Sequence, residues 1–261
     1  MNRLEKHFAE LKARHEKALI LYITAGDPSL AETFDIMKGL AAGGADCIEL
    51  GVPFSDPIAD GPVIQKAGQR ALKNKINLHD ILGIAKTFRQ SYDTPLVMMG
   101  YYNPILRFGL QDFAKACKEH GIDGLIVADL PFEEGEEFEA ICWQNGISLI
   151  YLLAPEMGNE RTKSILQATS GFVYCVAYYG TTGTAHAQNG RLDDVVSSIK
   201  SMTDLPVAVG FGIDSCESAK EKANAADGII IGSWLISELE KSGEKGKTAL
   251  EFAGNVKKAI E

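Results

Sequence analysis

A carboxylate inside an otherwise apolar run is the first sign of chemistry in this chain. In Cys47-Ile48-Glu49-Leu50-Gly51 the two-residue period of a strand sends Ile48 and Leu50 to one side and Cys47, Glu49 and Gly51 to the other. If the large aliphatics face surrounding helices, Glu49 points inward, where an unpaired carboxylate is costly and keeps its proton to higher pH. A carboxyl group tuned this way serves as a general acid and base. An ion-paired residue at a rim is the competing reading, but no neighbouring strand end offers an obvious Lys or Arg. The loop that follows, Pro53 to Pro62, is stiffened by Pro53, Pro57 and Pro62 and carries Asp56 and Asp60. Spacing alone leaves Asp60 equally a second catalytic carboxylate or a turn or helix-cap residue ahead of Pro62.

A second kind of chemistry is written near the end of the chain. Val209-Gly210-Phe211-Gly212-Ile213 and Ile231-Gly232-Ser233-Trp234 each follow an apolar run, and the second opens a short helix-like segment to Leu239. Glycines let a phosphate reach backbone N–H groups, and a helix N-terminus adds a favourable dipole. Either motif alone reads as a tight turn; both after consecutive final runs point to a phosphate site.

Such groups need a scaffold, and the apolar runs supply it. They recur at Ala18 to Thr24, Asp46 to Gly51, Pro95 to Tyr101, Gly124 to Asp129, Ser148 to Leu153, Phe172 to Ala177, Pro206 to Gly210 and Gly228 to Ile231. Helix-period segments alternate with them: Leu30 to Ala42, Leu110 to His120, Glu133 to Gln144, Arg161 to Ala168, Asp193 to Met202 and Ser215 to Ala225. Eight βα units predict an α/β fold, a single (β/α)8 barrel over 1–261, with its active site at the C-terminal ends of the strands. Extra helices are expected at Asn2 to Lys12, ahead of the first strand, at Leu78 to Gln90, and at Thr248 to Ile260 after a surface loop at Lys241 to Lys247.

Bulk properties exclude several classes. The 261 residues are 46% hydrophobic, enough for one sizeable core. A formal net charge of -9 and the absence of any long basic block argue against nucleic acid and anionic membranes as partners. Cys47, Cys117, Cys142, Cys175 and Cys216 form no Cys-x-x-Cys pair, which fits a reducing compartment. The opening Met1-Asn2-Arg3-Leu4-Glu5-Lys6 alternates charged and apolar residues, unlike a signal peptide, and no run approaches a membrane span, so a cytoplasmic location is expected.

From Ile48 to Gly61 the chain resembles, position by position, the signature of the tryptophan synthase alpha chain family. Tyr22 to Pro28, Met98 to Pro104, Val127 to Pro131, Gly180 to Gly183 and Gly210 to Ile213 resemble the same family in order, so the likeness runs through most of the chain. It implies a carbon–carbon lyase of tryptophan biosynthesis that splits indole-3-glycerol phosphate into indole and glyceraldehyde 3-phosphate. By the same resemblance Glu49 moves protons at C3 and at the side-chain hydroxyl, while Asp60 engages the ring N–H. Gly183, Phe211, Gly212, Gly232 and Ser233 would hold the phosphate. Tyr22, Met99, Ile126, Phe211 and Tyr174 would border the indole, and Thr182 would belong to a lid over 178–190. Relatives often carry Arg or Lys just before the lid glycine, where this chain has Tyr178-Tyr179, so a charge-based lid closure does not carry over.

Carbon–carbon cleavage needs an electron sink. None of the eight apolar runs ends in a lysine, and His7, His15, His79, His120 and His186 fall on expected helices or in the lid, read as solvated or capping residues rather than metal ligands. The sink must then lie in the substrate, as it does in a C3-protonated indole. The resemblance implies no cofactor in this chain, with pyridoxal phosphate held instead by a beta-chain partner in an alpha-beta-beta-alpha tetramer. Loops at 102–106 and 129–132, with 53–57 beside them, are the candidate contacts. A free-standing lyase and a phosphosugar isomerase on the same barrel are the alternatives, along with a non-catalytic subunit.

Overall fold

The computed structural model describes residues 1–154, 157–176 and 189–261, the last segment from its backbone alone at 189–191. Thr182, Gly183 and Tyr178-Tyr179 lie outside the described residues. Within them nine short parallel strands form one sheet: β1 (Ala18–Thr24), β2 (Cys47–Gly51), β3 (Leu96–Gly100), β4 (Gly124–Val127), β5 (Ser148–Leu149), β6 (Leu152–Leu153), β7 (Val173–Cys175), β8 (Val207–Val209) and β9 (Gly228–Ile231).

The strand order, β5-β4-β3-β2-β1-β9-β8-β7-β6, begins and ends in one stretch of chain. Its first half pairs with β4 and its second half with β7, so the expected fifth strand changes partner midway and closes the barrel. Ile150 N–H still donates to Leu125 O at 2.9 Å, and Val176 N–H to Leu153 O at 2.9 Å, which carries the wall across the join.

Helices fill the crossovers: α1 (Arg3–Arg14), α2 (Leu30–Ala42), α3 (Pro62–Lys73), α4 (Leu78–Phe88), α5 (Tyr102–Phe108), α6 (Leu110–His120), α7 (Glu136–Asn145), α8 (Asn159–Ala168), α9 (Asn189–Lys200), α10 (Cys216–Ala225), α11 (Ser233–Lys241) and α12 (Lys245–Ile260). Their starts follow local chemistry. Asn2 with Glu5, and Asn77 with Asp80, form reciprocal capping boxes, and Ser29 accepts from the Glu32 N–H. None of these helices is long and apolar enough to cross a membrane, and all five cysteines are free thiols.

Three segments differ from the sequence expectation. The stretch 102–106, read as a loop, is the helix α5; it has only seven residues and Pro104 in its first turn, too little for a helical period to register. Helix α3 is not among the helix-period segments expected from the sequence; it buries Ala67, Gly68 and Ala71, with Val63 and Ile64 packed beside them. Helix α12 begins at Lys245 inside the expected surface loop.

The core has two layers divided by strand parity. Leu19, Leu21, Ile48, Leu50, Leu96 and Met98 pack outward against the helices. Ile20, Cys47, Val97, Ile126, Ile150 and Ile230 fill the barrel. Helix α1 plugs the N-terminal end, sending Leu4, Phe8 and Leu11 into the interior cluster, with Phe8 stacked on Phe172 at 5.3 Å. Polar ties fasten the plug: Arg3 and Arg89 form ion pairs with Asp123, while Asp46 pairs with Lys257 at 2.7 Å and hydrogen-bonds His7 at 3.0 Å. The N-terminal end is thereby sealed, and the open end of the barrel is where the strands finish.

Candidate active site

Register places Glu49 level with Tyr22 on one side and Val97 on the other, on the inward face of β2 near its C-terminal end. It is fully buried, and among the described residues neither carboxylate oxygen has a hydrogen-bond partner. Burial first, and the charge of Asp60 second, push its pKa from 4.5 to about 8. The group therefore holds its proton at neutral pH yet can release it.

Space around this carboxyl is made by glycines at inward-facing strand ends. A Cβ on Gly51 would lie 2.0 Å from the Tyr22 hydroxyl, and one on Gly210 would lie 2.7 Å from the Tyr174 hydroxyl. Only a residue without a side chain lets the two phenols turn into the barrel mouth beside Glu49. Both phenols are pushed well above the ordinary tyrosine range by burial, with further contributions from Glu49 and Asp60, so they stay neutral. Met99, level with Ile126 across β3 and β4, joins the interior cluster below to a smaller one formed by Tyr22, Ala67 and Ile236. Tyr22 and Tyr174 thus come together beside Glu49, with Met99 and Ile126 in the clusters that adjoin them. Phe211 does not join them in burial; it stands 52% exposed in the loop after β8.

The loop from Pro53 to Gly61 brings in the second carboxylate. Its turns are internal: Ile58 N–H donates to Asp56 O and Asp60 N–H to Pro57 O. Gly61, not Asp60, occupies the cap position of α3, with Pro62 as its first residue, and no side chain caps that helix. The Asp60 carboxylate, free of capping duty, lies near enough to Glu49 and Tyr22 to act on both. Burial raises its own pKa, and a hydrogen bond with Tyr101 works against that rise. Tyr101 also accepts from Ala59 N–H at 3.1 Å and stacks on Phe54 at 5.0 Å.

Across the mouth, Gly212 sits at φ +61°, a conformation that few side-chain-bearing residues adopt, with its carbonyl accepting from Lys222 Nζ at 2.8 Å. Gly232 precedes α11 without any side-chain cap, and the first intrahelical bond to it comes from Ile236 N–H. The N–H groups of Ser233, Trp234 and Leu235 therefore have no acceptor within the helix, an arrangement suited to an anion.

Sequence reasoning missed one tie between these parts. Arg70 of α3 grips Asp27, just beyond β1, through two 2.7 Å bonds and reaches Glu240 of α11 at 2.7 Å. The signal is faint, a lone Asp before a proline and a lone Arg on a helix that sequence did not announce. With it, the helix after Asp60, the loop after β1 and the helix at Gly232 become one fastened group.

A family model described as the tryptophan synthase alpha chain matches residues 8–261. The tryptophan synthase alpha chain of Paraburkholderia phytofirmans is 44% identical over 264 residues, covering 100% of this chain and 98% of that protein. That of Burkholderia pseudomallei is 46% identical over 257 residues, covering 98% and 94%. Among solved structures, the tryptophan synthase subunit alpha of Legionella pneumophila superposes with a TM-score of 0.92 at 38% identity, covering 100% of this chain and 98% of that one. A Mycobacterium tuberculosis tryptophan synthase structure gives 0.90 at 34% identity, covering 99% and 98%.

Proposed function

The chain belongs to the tryptophan synthase alpha chain family, and from that premise we propose that its barrel mouth carries out the alpha reaction with Glu49 and Asp60 as the working carboxylates. The reaction is the cleavage of indole-3-glycerol phosphate to indole and glyceraldehyde 3-phosphate. The isomerase and free-standing lyase readings find no support in the relatives matched.

Glu49 is the observation that carries the assignment. A carboxyl group with a pKa near 8 and no partner for either oxygen can give its proton to indole C3. C3 protonation makes an indolenine whose C=N accepts the electrons of the breaking bond. The resulting carboxylate takes the proton of the side-chain hydroxyl as the carbonyl of glyceraldehyde 3-phosphate forms. One proton enters at C3, one leaves the hydroxyl, and Glu49 ends as it began. Asp60, kept toward its charged form by Tyr101, accepts the ring N–H and offsets the positive charge that grows on that nitrogen.

Tyr22, Met99, Ile126 and Tyr174 provide the apolar walls for the ring. Gly212, Gly232 and Ser233 offer backbone N–H groups to the phosphate, with Phe211 at the rim. Gly183 and Thr182 are assigned to the phosphate and the lid through the family resemblance alone. The whole chain, 1–261, acts as one barrel domain in the cytoplasm. It needs no cofactor of its own; a beta-chain dimer would hold the pyridoxal phosphate and receive the indole in an alpha-beta-beta-alpha assembly. The beta chain would dock on the face formed by α5 and 129–132, with 53–57 beside them.

Glu49→Gln keeps the shape of the side chain and removes its proton chemistry. Indole release from indole-3-glycerol phosphate should fall by about three orders of magnitude or more, the scale of losing a general acid and base, while a non-cleavable indole-alkyl phosphate still binds within a few-fold. Turnover close to wild type would overturn the assignment.

A further inference from the structure

We propose that Tyr101 is a positioning residue for the alpha reaction, its hydroxyl holding the Asp60 end of the loop so that the carboxylate faces the substrate ring. The role rests on the assignment of Asp60 above and adds to it a residue that neither the fold nor the family signature singles out.

The geometry is specific to one loop. Tyr101 follows β3 and is only 3% exposed. Its ring stacks on Phe54 near the start of the loop, with centroids 5.0 Å apart and planes 27° apart. Its hydroxyl accepts the Ala59 N–H at 3.1 Å near the end of the loop. Using that lone pair leaves the phenolic proton for the carboxylate of the next residue, Asp60, whose charged form the hydroxyl favours. A tyrosine that served packing alone would not need a hydroxyl that meets the loop at successive residues.

Electrostatics at this point favour such a donor. Among the described residues, the ionisable groups acting around Asp60 are Glu49 from β2, Tyr22 from β1, Tyr174 from β7 and Tyr101 itself, with Asp129 beyond Tyr101. None of them is a cation. Burial raises the pKa of a carboxylate in that company, and the Tyr101 hydroxyl is the group that opposes the rise.

The test is Tyr101→Phe, which retains the ring and the stack, measured in the full-length chain alone and with a beta chain. A bond to a charged group is worth roughly a ten- to hundredfold change. We expect kcat to fall by that factor with KM and the melting temperature little changed, and the acid limb of the kcat profile to move to higher pH as Asp60 protonates more readily. In an Asp60→Asn background the same substitution should have almost no further effect on residual turnover. A wild-type kcat and pH profile for Tyr101→Phe, or an equal loss with and without Asp60, would overturn the proposal while leaving the Asp60 assignment intact. Full turnover in Asp60→Asn alone would instead remove the assignment of Asp60 and the role of Tyr101 with it.

Discussion

Glu49 is a fully buried carboxyl group with no hydrogen-bond partner among the described residues, and that placement has a cost that depends on pH. An unfolded glutamate ionises near 4.5, whereas Glu49 in the barrel holds its proton to about 8. Below 4.5 both states are protonated and the site costs little. Between 4.5 and about 8 the unfolded chain loses its proton first, so folding stability falls as pH rises and the full penalty stands above 8. Glu49→Gln removes that penalty. It should stabilise the chain by something on the order of 2–4 kcal/mol at pH 8.5 and by far less at pH 4.5, read from urea unfolding at the two pH values. A gain of equal size at both would mean that the carboxyl is not held neutral by burial. Strand parity made this residue legible, since a lone Glu alternating with Ile48 and Leu50 has only one face to occupy. Asp60 was not legible in the same way: a turn, a cap and a catalytic group share one spacing, and the choice depends on Gly61 taking the cap and on Tyr101 approaching from β3, contacts between residues distant in sequence.

At the level of elements, the positions of the strand ends matter less than what fixes the helices that follow them. Helix α3 leads away from Asp60 and helix α11 begins at the proposed phosphate site; both pack on Tyr22, through Ala67 and Ile236. Arg70 ties the pair together and to the loop after β1, with its own side chain 29% and that of Asp27 12% exposed. Arg70→Met keeps the stem and cuts the ties. Losing hydrogen bonds between partly buried charged groups should cost about 2 kcal/mol of stability. Because the helix that presents Gly232 and Ser233 loses its brace, KM for indole-3-glycerol phosphate should rise several-fold, more than kcat falls. Denaturant unfolding and steady-state kinetics report the two effects separately; an unchanged KM would show that α11 is set by its apolar packing alone. Most of the strands and long helices were legible as periodic apolar runs. Helix α3 was not read, and the Arg70 cluster that fixes its place joins residues distant in sequence.

On the scale of the whole molecule, the two ends of the barrel are treated in opposite ways. The N-terminal end is plugged by α1, whose Leu4, Phe8 and Leu11 are buried, whose Arg3 is ion-paired with Asp123 and whose His7 hydrogen-bonds Asp46. Sequence announces that helix but not its place, because an amphipathic face does not say which surface it covers. The C-terminal end leaves apolar groups outside: Ile58 is 82% and Leu106 54% exposed, and beside them lies a cleft of about 520 Å³ lined by Phe54, Asn103, Pro104 and Phe108 among others. Helix α5 is held at this face by Asp129, which accepts the Tyr102 N–H at 2.7 Å and so links β4 to the start of the helix. Exposed apolar groups gathered on one face suit a protein partner. Leu106 lies outside the proposed substrate pocket, which makes it a clean probe of that partner. Leu106→Glu should weaken association with a beta chain by about tenfold or more, as expected for a charge placed at the centre of an apolar contact. Cleavage by the isolated chain should stay at its wild-type rate, and the stimulation gained on adding the beta chain should require correspondingly higher concentrations. Undiminished affinity in a titration of the two chains would move the docking face away from α5.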